Sequence, residues 1–160
     1  RSPSRGLGDV YKRHGIGAPY WNANARGVLS GITRNTGPKE IVRATIESVA
    51  YQTNDLFDAM KQDGLRPKLV KVDGGMVMNN WFSQYLADII NIKVLRPKVY
   101  ETTALGAAFM AGLQVGVYKS LKQISKQWKL DKKFKPKVNN KFRKKVLADW
   151  NKAVKRTLIT

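Results

Sequence analysis

A pair of glycines followed by two asparagines is the feature of this sequence best suited to chemistry. The segment reads Val72-Asp73-Gly74-Gly75-Met76-Val77-Met78-Asn79-Asn80. Glycine has no Cβ, so a ligand can approach the backbone closely here and the chain can take a positive φ. A helix beginning at the asparagines would offer N–H groups and the positive end of its dipole, which suit a phosphate. A tight strand-to-helix turn without a ligand explains the same residues, and the residues alone leave both interpretations open.

Other groups that could catalyse a reaction or bind a metal are few. Residues 101–112 form a second helix start rich in small residues, for which close helix packing is the simpler explanation. The single histidine, His14, has no cysteine and no second histidine with which to bind zinc or build a Ser/His/Asp triad. The sequence also has no P-loop pattern. None of these patterns therefore indicates a catalytic residue or a metal ligand.

Alternating strands and helices are needed to position these segments. The clearest helix spans 38–62, with Pro38 at its start and Gly64 at its end. Apolar residues recur along it every three or four positions and predict one buried stripe, made of Val42, Ile46, Val49, Thr53, Leu56 and Met60. We predict strands at 26–32, 69–73 and 92–96, and further helices at 80–91, 103–115, 120–128 and 139–157. This alternation indicates an α/β layer architecture.

Length and composition fit a globular domain, with 160 residues of which 42% are hydrophobic. No apolar run approaches the roughly 20 residues that cross a bilayer, so we expect no membrane partner. The absence of cysteine fits a cytoplasmic protein. Residues 1–14 carry turn and charge signals without periodicity and are expected to be irregular. Because the chain begins with Arg1 and three strands make a small sheet, we expect a fragment with further strands upstream.

The net charge of +19 raises nucleic-acid binding as an alternative function. Residues 1–118 contain 15 Lys and Arg against 9 Asp and Glu, whereas residues 119–160 contain 15 against 2. The excess is spread as single lysines through a helical pattern, which is typical of a solvated helix face. Four aromatic residues among these lysines fall at apolar positions and are predicted to lie in the core: Trp128, Phe134, Phe142 and Trp150. We therefore do not expect a nucleic-acid partner.

Several motifs, in a fixed order, resemble the FGGY family of carbohydrate kinases. Gly-Ile-Gly-Ala-Pro-Tyr-Trp-Asn at 15–22, followed by Ala25-Arg26-Gly27, is similar to the stretch before the family's second signature. The signature itself is matched at Gly27, Leu29, Gly31-Ile32, Glu40-Ile41 and Ala44-Thr45-Ile46-Glu47. The Ala-Pro-Tyr-Trp segment favours the glycerol kinases of the family over its xylulose and gluconate kinases.

The later motifs resemble the same family. Residues 72–75 with Asn79-Asn80 are similar to its adenosine-binding motif, and residues 101–108 to the helix that follows. Trp150 and residues 152–156 resemble the usual C-terminal ending. The resemblance covers residues 15–160, which are interpreted as a partial C-terminal FGGY kinase domain.

The resemblance implies an α/β fold of the actin and sugar-kinase type, in which two ribonuclease H-like domains close on ATP and substrate. This chain would be the later part of the second domain. Gly75 and Asn79 would contact the nucleotide, ATP or ADP, and Met76 would line the same pocket. The implied reaction is transfer of the γ-phosphoryl group of Mg²⁺-ATP to glycerol, in a full-length enzyme expected to be a homo-oligomer.

The same resemblance implies that the catalytic base and most glycerol-binding residues lie in an N-terminal domain that this sequence lacks. Asp73 is interpreted as a structural residue of the turn rather than as a substitute base. The chain would keep part of the nucleotide site and none of the glycerol site, so we expect it to be inactive by itself. The remaining alternatives are a basic nucleic-acid-binding module and a non-catalytic remnant of a kinase.

Overall fold

The structure, a computed structural model, describes residues 15–158. Along the chain it contains helix α1 (Pro38–Gln62), strand β1 (Leu69–Lys71), a 3-10 turn (Gly75–Met78), helix α2 (Asn80–Ile90), strand β2 (Lys93–Pro97), helix α3 (Thr102–Gln114), helix α4 (Leu121–Ser125), strand β3 (Leu130–Phe134) and helix α5 (Asn140–Leu158). The described residues form two compact units. The sheet unit comprises residues 66–137, and the helix unit comprises 15–65 with 138–158. The segment 1–14, predicted to be irregular, lies outside the described residues.

The sheet unit contains three strands in the order β1-β2-β3. Strands β1 and β2 are parallel, with Leu69 opposite Lys93, and helix α2 lies in the connection between them. Strand β3 runs antiparallel to β2, with Phe134 opposite Val94. Parallel strands have their carboxyl ends at the same edge of a sheet, where ligands of α/β proteins usually bind. The glycine pair follows β1 at that edge.

Helix α2 and the sheet share the core of this unit. Ile89, Ile90 and Val94 are fully buried, and Phe82 and Phe134 pack among the buried residues around them. Burying each large apolar side chain stabilises a fold by about 1.5–3 kcal/mol. The core therefore fixes α2 against β2 and β3, and with it the turn from which α2 begins.

Helix α1 in the helix unit has the predicted bounds, and its ends show why. The Glu40 carboxylate accepts a hydrogen bond from the Gly37 N–H at 2.8 Å, beside Pro38 in the first turn. That hydrogen bond lowers the pKa of Glu40. At the other end, Gly64 takes a φ of +85°, which turns the chain out of the helix at little steric cost.

The predicted buried stripe on α1 is wrong, because none of its six residues is buried. Val42 and Leu56 are exposed and the other four are half-buried. The buried residues of α1 are Ala50, Asn54, Asp55 and Phe57. The Asp55 carboxylate accepts hydrogen bonds from Trp150 Nε1 of α5 at 2.7 Å and from the Tyr20 hydroxyl at 3.0 Å. The side of α1 that packs against α5 therefore includes Asp55, a buried carboxylate that accepts two hydrogen bonds. A search for apolar periodicity does not find a buried polar residue.

The strands differ from the prediction in two places: one predicted strand is absent from the described residues, and one observed strand was not predicted. The predicted strand at 26–32 is irregular, because Gly31 takes a φ of +79° and no described strand pairs with this segment. Strand β3 was not predicted, since its lysines and Asp131 disfavour a strand and only Phe134 is buried. Lysines are typical of edge strands, where they discourage further pairing. Of the aromatic residues predicted to lie in the core, Phe142 is exposed.

Candidate nucleotide-binding site

The turn after β1 is built around Gly74. This residue has φ +86° and ψ 171°, a combination that essentially only glycine adopts. Its N–H donates a hydrogen bond to the Tyr100 carbonyl at 2.8 Å, which joins the turn to the segment after β2. The first glycine of the pair therefore serves the backbone geometry of the turn.

Asp73 has a structural contact at the same edge. Its carboxylate accepts a hydrogen bond from the Thr102 hydroxyl in the first turn of α3. This contact joins the end of β1 to the start of α3, as the structural interpretation of Asp73 requires.

Gly75 begins the 3-10 turn and presents open backbone. A Cβ added to Gly75 would have no described atom within 4 Å. The first N–H groups of such a turn have no partner inside it, and among residues 15–158 no other hydrogen bond is described for the amides of Gly75 and Met76. The Met76 side chain is 48% exposed. Two backbone donors beside an exposed apolar side chain can bind an anion or a hydroxyl group.

Asn79 caps helix α2, a role that is typical of asparagine at the start of a helix. Its side-chain Oδ1 accepts hydrogen bonds from the N–H groups of Trp81 at 2.9 Å and Phe82 at 3.3 Å. Asn79 is thus the N-cap of α2, and these helix N–H groups are not open to a phosphate. The side-chain Nδ2 has no partner described within residues 15–158 and is left as a donor. The free donors of the turn are therefore the backbone N–H groups of Gly75 and Met76 and the side-chain Nδ2 of Asn79.

Arg96 holds the 3-10 turn in place and was missed from the sequence. The guanidinium, on the buried side of β2, donates from Nη1 to the carbonyls of Val77 at 2.9 Å and Met78 at 3.1 Å. Its Nε and Nη2 both lie 2.7 Å from Asp131 Oδ2 on β3. A sequence signal was available, because Arg96 follows the core residue Val94 by two positions and so lies on the same face of β2. A charged residue at such a position is nearly always paired.

The donors lie on an open surface of the turn. A cavity of about 310 Å³ nearby is lined mainly by apolar residues of α3, α4 and the strand ends, and it includes none of residues 74–79. Within the described residues no three carboxylate or imidazole groups come together to hold a metal. None of the helices described there is long and apolar enough to span a bilayer. The turn is therefore suited to binding an anionic or hydroxyl-rich ligand.

Known proteins with similar sequences include glycerol kinases. Glycerol kinase of Ectopseudomonas mendocina (strain ymp) is 52% identical over 143 residues, which are 89% of this chain and 29% of that protein. Glycerol kinase 1 of Pseudomonas aeruginosa is 51% identical, with the same two shares. This chain therefore spans about 29% of the length of the relatives it matches.

Solved structures match the fold. The crystal structure of Plasmodium falciparum glycerol kinase with ADP matches 91% of this chain and 29% of its own, at 42% identity and a TM-score of 0.77. Gluconate kinase from Lactobacillus acidophilus matches 85% of this chain and 28% of its own, at 28% identity and a TM-score of 0.67. These matches confirm the predicted α/β fold of the sugar-kinase type.

The family model for the C-terminal domain of the FGGY carbohydrate kinases matches residues 3–115. That range contains the turn after β1 with its free donors and most of the sheet unit. The predicted resemblance is confirmed, and this chain belongs to the FGGY family of carbohydrate kinases.

Proposed function

We propose that this chain is the nucleotide-binding part of a glycerol kinase, which transfers the γ-phosphoryl group of ATP to glycerol. The observation that supports this most is the turn at 74–79, where two backbone N–H groups lie open beside a glycine without close neighbours. The 52% identity to a glycerol kinase and the structural match to one with ADP support the substrate and the nucleotide.

Each residue of the turn has a distinct part in this proposal. The nucleotide lies against the backbone of Gly75, because no Cβ keeps it away. The Asn79 side chain donates through Nδ2 while its Oδ1 caps α2. Met76 gives an exposed apolar surface to the same ligand. These groups bind and orient the nucleotide, and none of them takes a proton.

The rest of the reaction needs groups that the described residues do not supply. Phosphoryl transfer requires a metal that neutralises the phosphates and an acid that accepts the hydroxyl proton. Mg²⁺ would neutralise the phosphates of the nucleotide. The glycerol site and the base would belong to an N-terminal domain of the full-length enzyme, which we propose to be a homo-oligomer.

Matched glycine variants test the nucleotide site. Gly75→Ala places a methyl group where the nucleotide would lie, but that methyl group meets no described atom. We expect ADP to bind at least about tenfold more weakly, about 1.4 kcal/mol, with no loss of stability. The control is Gly106→Ala in α3, the same change in the same unit, again with no described atom within 4 Å of the added Cβ. Unchanged ADP binding by Gly75→Ala, measured with a fluorescent ADP analogue, would contradict the proposed site.

Activity is tested separately. The purified 160-residue chain is expected to show no ADP release with ATP and glycerol in a coupled assay. Glycerol-dependent turnover by the chain alone would contradict the assignment of the base to another domain.

A further inference from the structure

Helix α5 has six cationic side chains on one exposed face. They are Lys141, Lys144, Lys145, Lys152, Lys155 and Arg156, and all six are exposed. At 3.6 residues per turn they fall within an arc of about 120° and extend over about 22 Å of the helix. The opposite side, which includes Trp150 and Val154, is half-buried or buried. We call the six side chains together the basic face.

The charge of the basic face is almost uncompensated. Lys152 Nζ lies 3.3 Å from the Asp149 carboxylate, and both side chains are exposed. Among residues 15–158, no other member of the basic face has an ion pair. Cations three or four residues apart, such as Lys141 with Lys144 and with Lys145, repel each other and destabilise a helix. An anionic partner would relieve this repulsion.

The composition of the basic face discriminates between partners. The arc that the basic face covers contains no apolar or aromatic side chain larger than Ala148, and the exposed Phe142 lies about 40° outside it. Protein interfaces, in contrast, are enriched in aromatic residues and depleted of lysine. The same lack disfavours single-stranded nucleic acid, which is bound by stacking. It also excludes a helix that inserts into lipid, since that needs an exposed apolar side.

The shape of the basic face favours a flat partner. The phosphates of a duplex follow a helical path, so a straight row of charges about 22 Å long meets only a few of them. A planar surface of anionic lipid can face all six cations at once. Lysine ammonium groups are compact point charges that need no particular orientation of their partner.

We propose that the basic face of α5 binds the surface of anionic lipid bilayers without inserting into them. This departs from the sequence-based expectation of no membrane partner, which considered only segments that cross a bilayer. The attraction is to the headgroup charges and is independent of the nucleotide site. Each basic residue close to an anionic surface strengthens binding by about fivefold. Removing three of them should therefore weaken binding by about 100-fold.

The test is co-sedimentation of the 160-residue chain with vesicles of phosphatidylcholine, with or without one-third phosphatidylserine. We expect binding to the anionic vesicles alone. The variant Lys141→Gln, Lys144→Gln, Lys145→Gln should lose about 100-fold in partition coefficient. The control carries the same charge change at three exposed lysines of the sheet unit, Lys93→Gln, Lys98→Gln, Lys133→Gln, and should change by less than about fivefold.

A second measurement does not depend on any variant. Raising the salt from 0.01 M to 0.15 M shortens the Debye length from about 30 Å to about 8 Å, so binding of the unaltered chain should fall steeply. Equal binding to neutral vesicles, equal loss in both triple variants, or salt-independent binding would overturn the proposal. Tighter binding to a DNA duplex than to the anionic vesicles would overturn it as well, and would assign the basic face to nucleic acid.

Discussion

Replacing Arg96 by methionine tests how the nucleotide turn is held. Arg96 is 7% exposed and joins β2, β3 and the 3-10 turn through one guanidinium group. Arg96→Met keeps much of the apolar volume but removes the charge and all of these donors. Two carbonyls of the turn, those of Val77 and Met78, then lose their cationic partner.

These contacts determine how much Arg96→Met should lower the free energy of unfolding. Hydrogen bonds to a charged group contribute about 1.5–3 kcal/mol each. The Val77 carbonyl keeps a second donor, the Ser83 hydroxyl at 2.7 Å, so the lower end of the range applies. The two carbonyl bonds give about 3 kcal/mol. The ion pair adds at most about 1 kcal/mol, because the Asp131 side chain is 41% exposed and water can replace the guanidinium there.

The assay is urea unfolding of the sheet unit, followed by hydrogen exchange of the amides in α2 and β2. With a slope of about 2 kcal/mol/M, a loss of about 3 kcal/mol lowers the midpoint by about 1.5 M. Asp131→Asn, the matched change on the exposed partner, should lower it by about 0.5 M or less. In native conditions Arg96→Met should also weaken ADP binding, because the turn carrying Gly75 loses its support. An unchanged midpoint together with unchanged ADP affinity would refute this reasoning.

Four further predictions concern single positions. Gly74→Ala should lower the free energy of unfolding by about 1–3 kcal/mol in chemical denaturation, because alanine is strained at φ +86° and ψ 171°; a stability equal to that of the unaltered chain would contradict it. Asn79→Asp should keep the cap of α2 and its stability but lose the Nδ2 donor and ADP binding, whereas Asn79→Ala should also cost about 1 kcal/mol in denaturation. Burial and the hydrogen bond to Asp55 raise the pKa of Tyr20 from 10.0 to about 12. The folded state then holds this proton more tightly than the unfolded chain, so stability should fall as pH rises from 10 to 12, and a pH titration of Tyr20→Phe should lack that fall. Trp150→Phe should cost about 2 kcal/mol, and combined with Tyr20→Phe it should cost more than the sum in a double-mutant cycle, because Asp55 then has neither described donor.

The pH behaviour of Asp55 follows from the same contacts. Burial raises the pKa of this carboxyl group, and the hydrogen bonds from Trp150 and Tyr20 partly oppose that rise. A raised pKa means that the contribution of Asp55 to stability is complete at low pH and declines as the pH rises through its folded pKa. Trp150→Phe removes one opposing hydrogen bond and should raise this pKa further, which an NMR titration of the carboxyl group can measure.

The elements with strong local signals could be predicted from the sequence. Helix α1 has Pro38 at its start and Gly64 just after its end, and strand β1 ends shortly before Gly74. The α/β class and the position of the glycine turn at the sheet edge followed from these signals. The ligand itself did not, since the turn is explained equally well without one, and the resemblance to the FGGY kinases was needed to name it.

What could not be predicted depends on contacts between distant residues. Strand β3 forms because its backbone pairs with β2, although its side chains favour no strand. Arg96 finds its partners 18, 19 and 35 residues away, at Met78, Val77 and Asp131. Local propensity does not contain this information.

The most direct test of the nucleotide site is a titration of the isotope-labelled 160-residue chain with ADP, followed by amide and side-chain NMR. We expect shifts concentrated at the amides of Gly75 and Met76 and at the Asn79 side-chain amide, as ADP reaches millimolar concentration. Adenosine without phosphates should shift these signals less, because the two backbone donors are expected to bind an anion. A folded chain whose signals at 74–79 do not move with ADP, or move only elsewhere, would contradict the account.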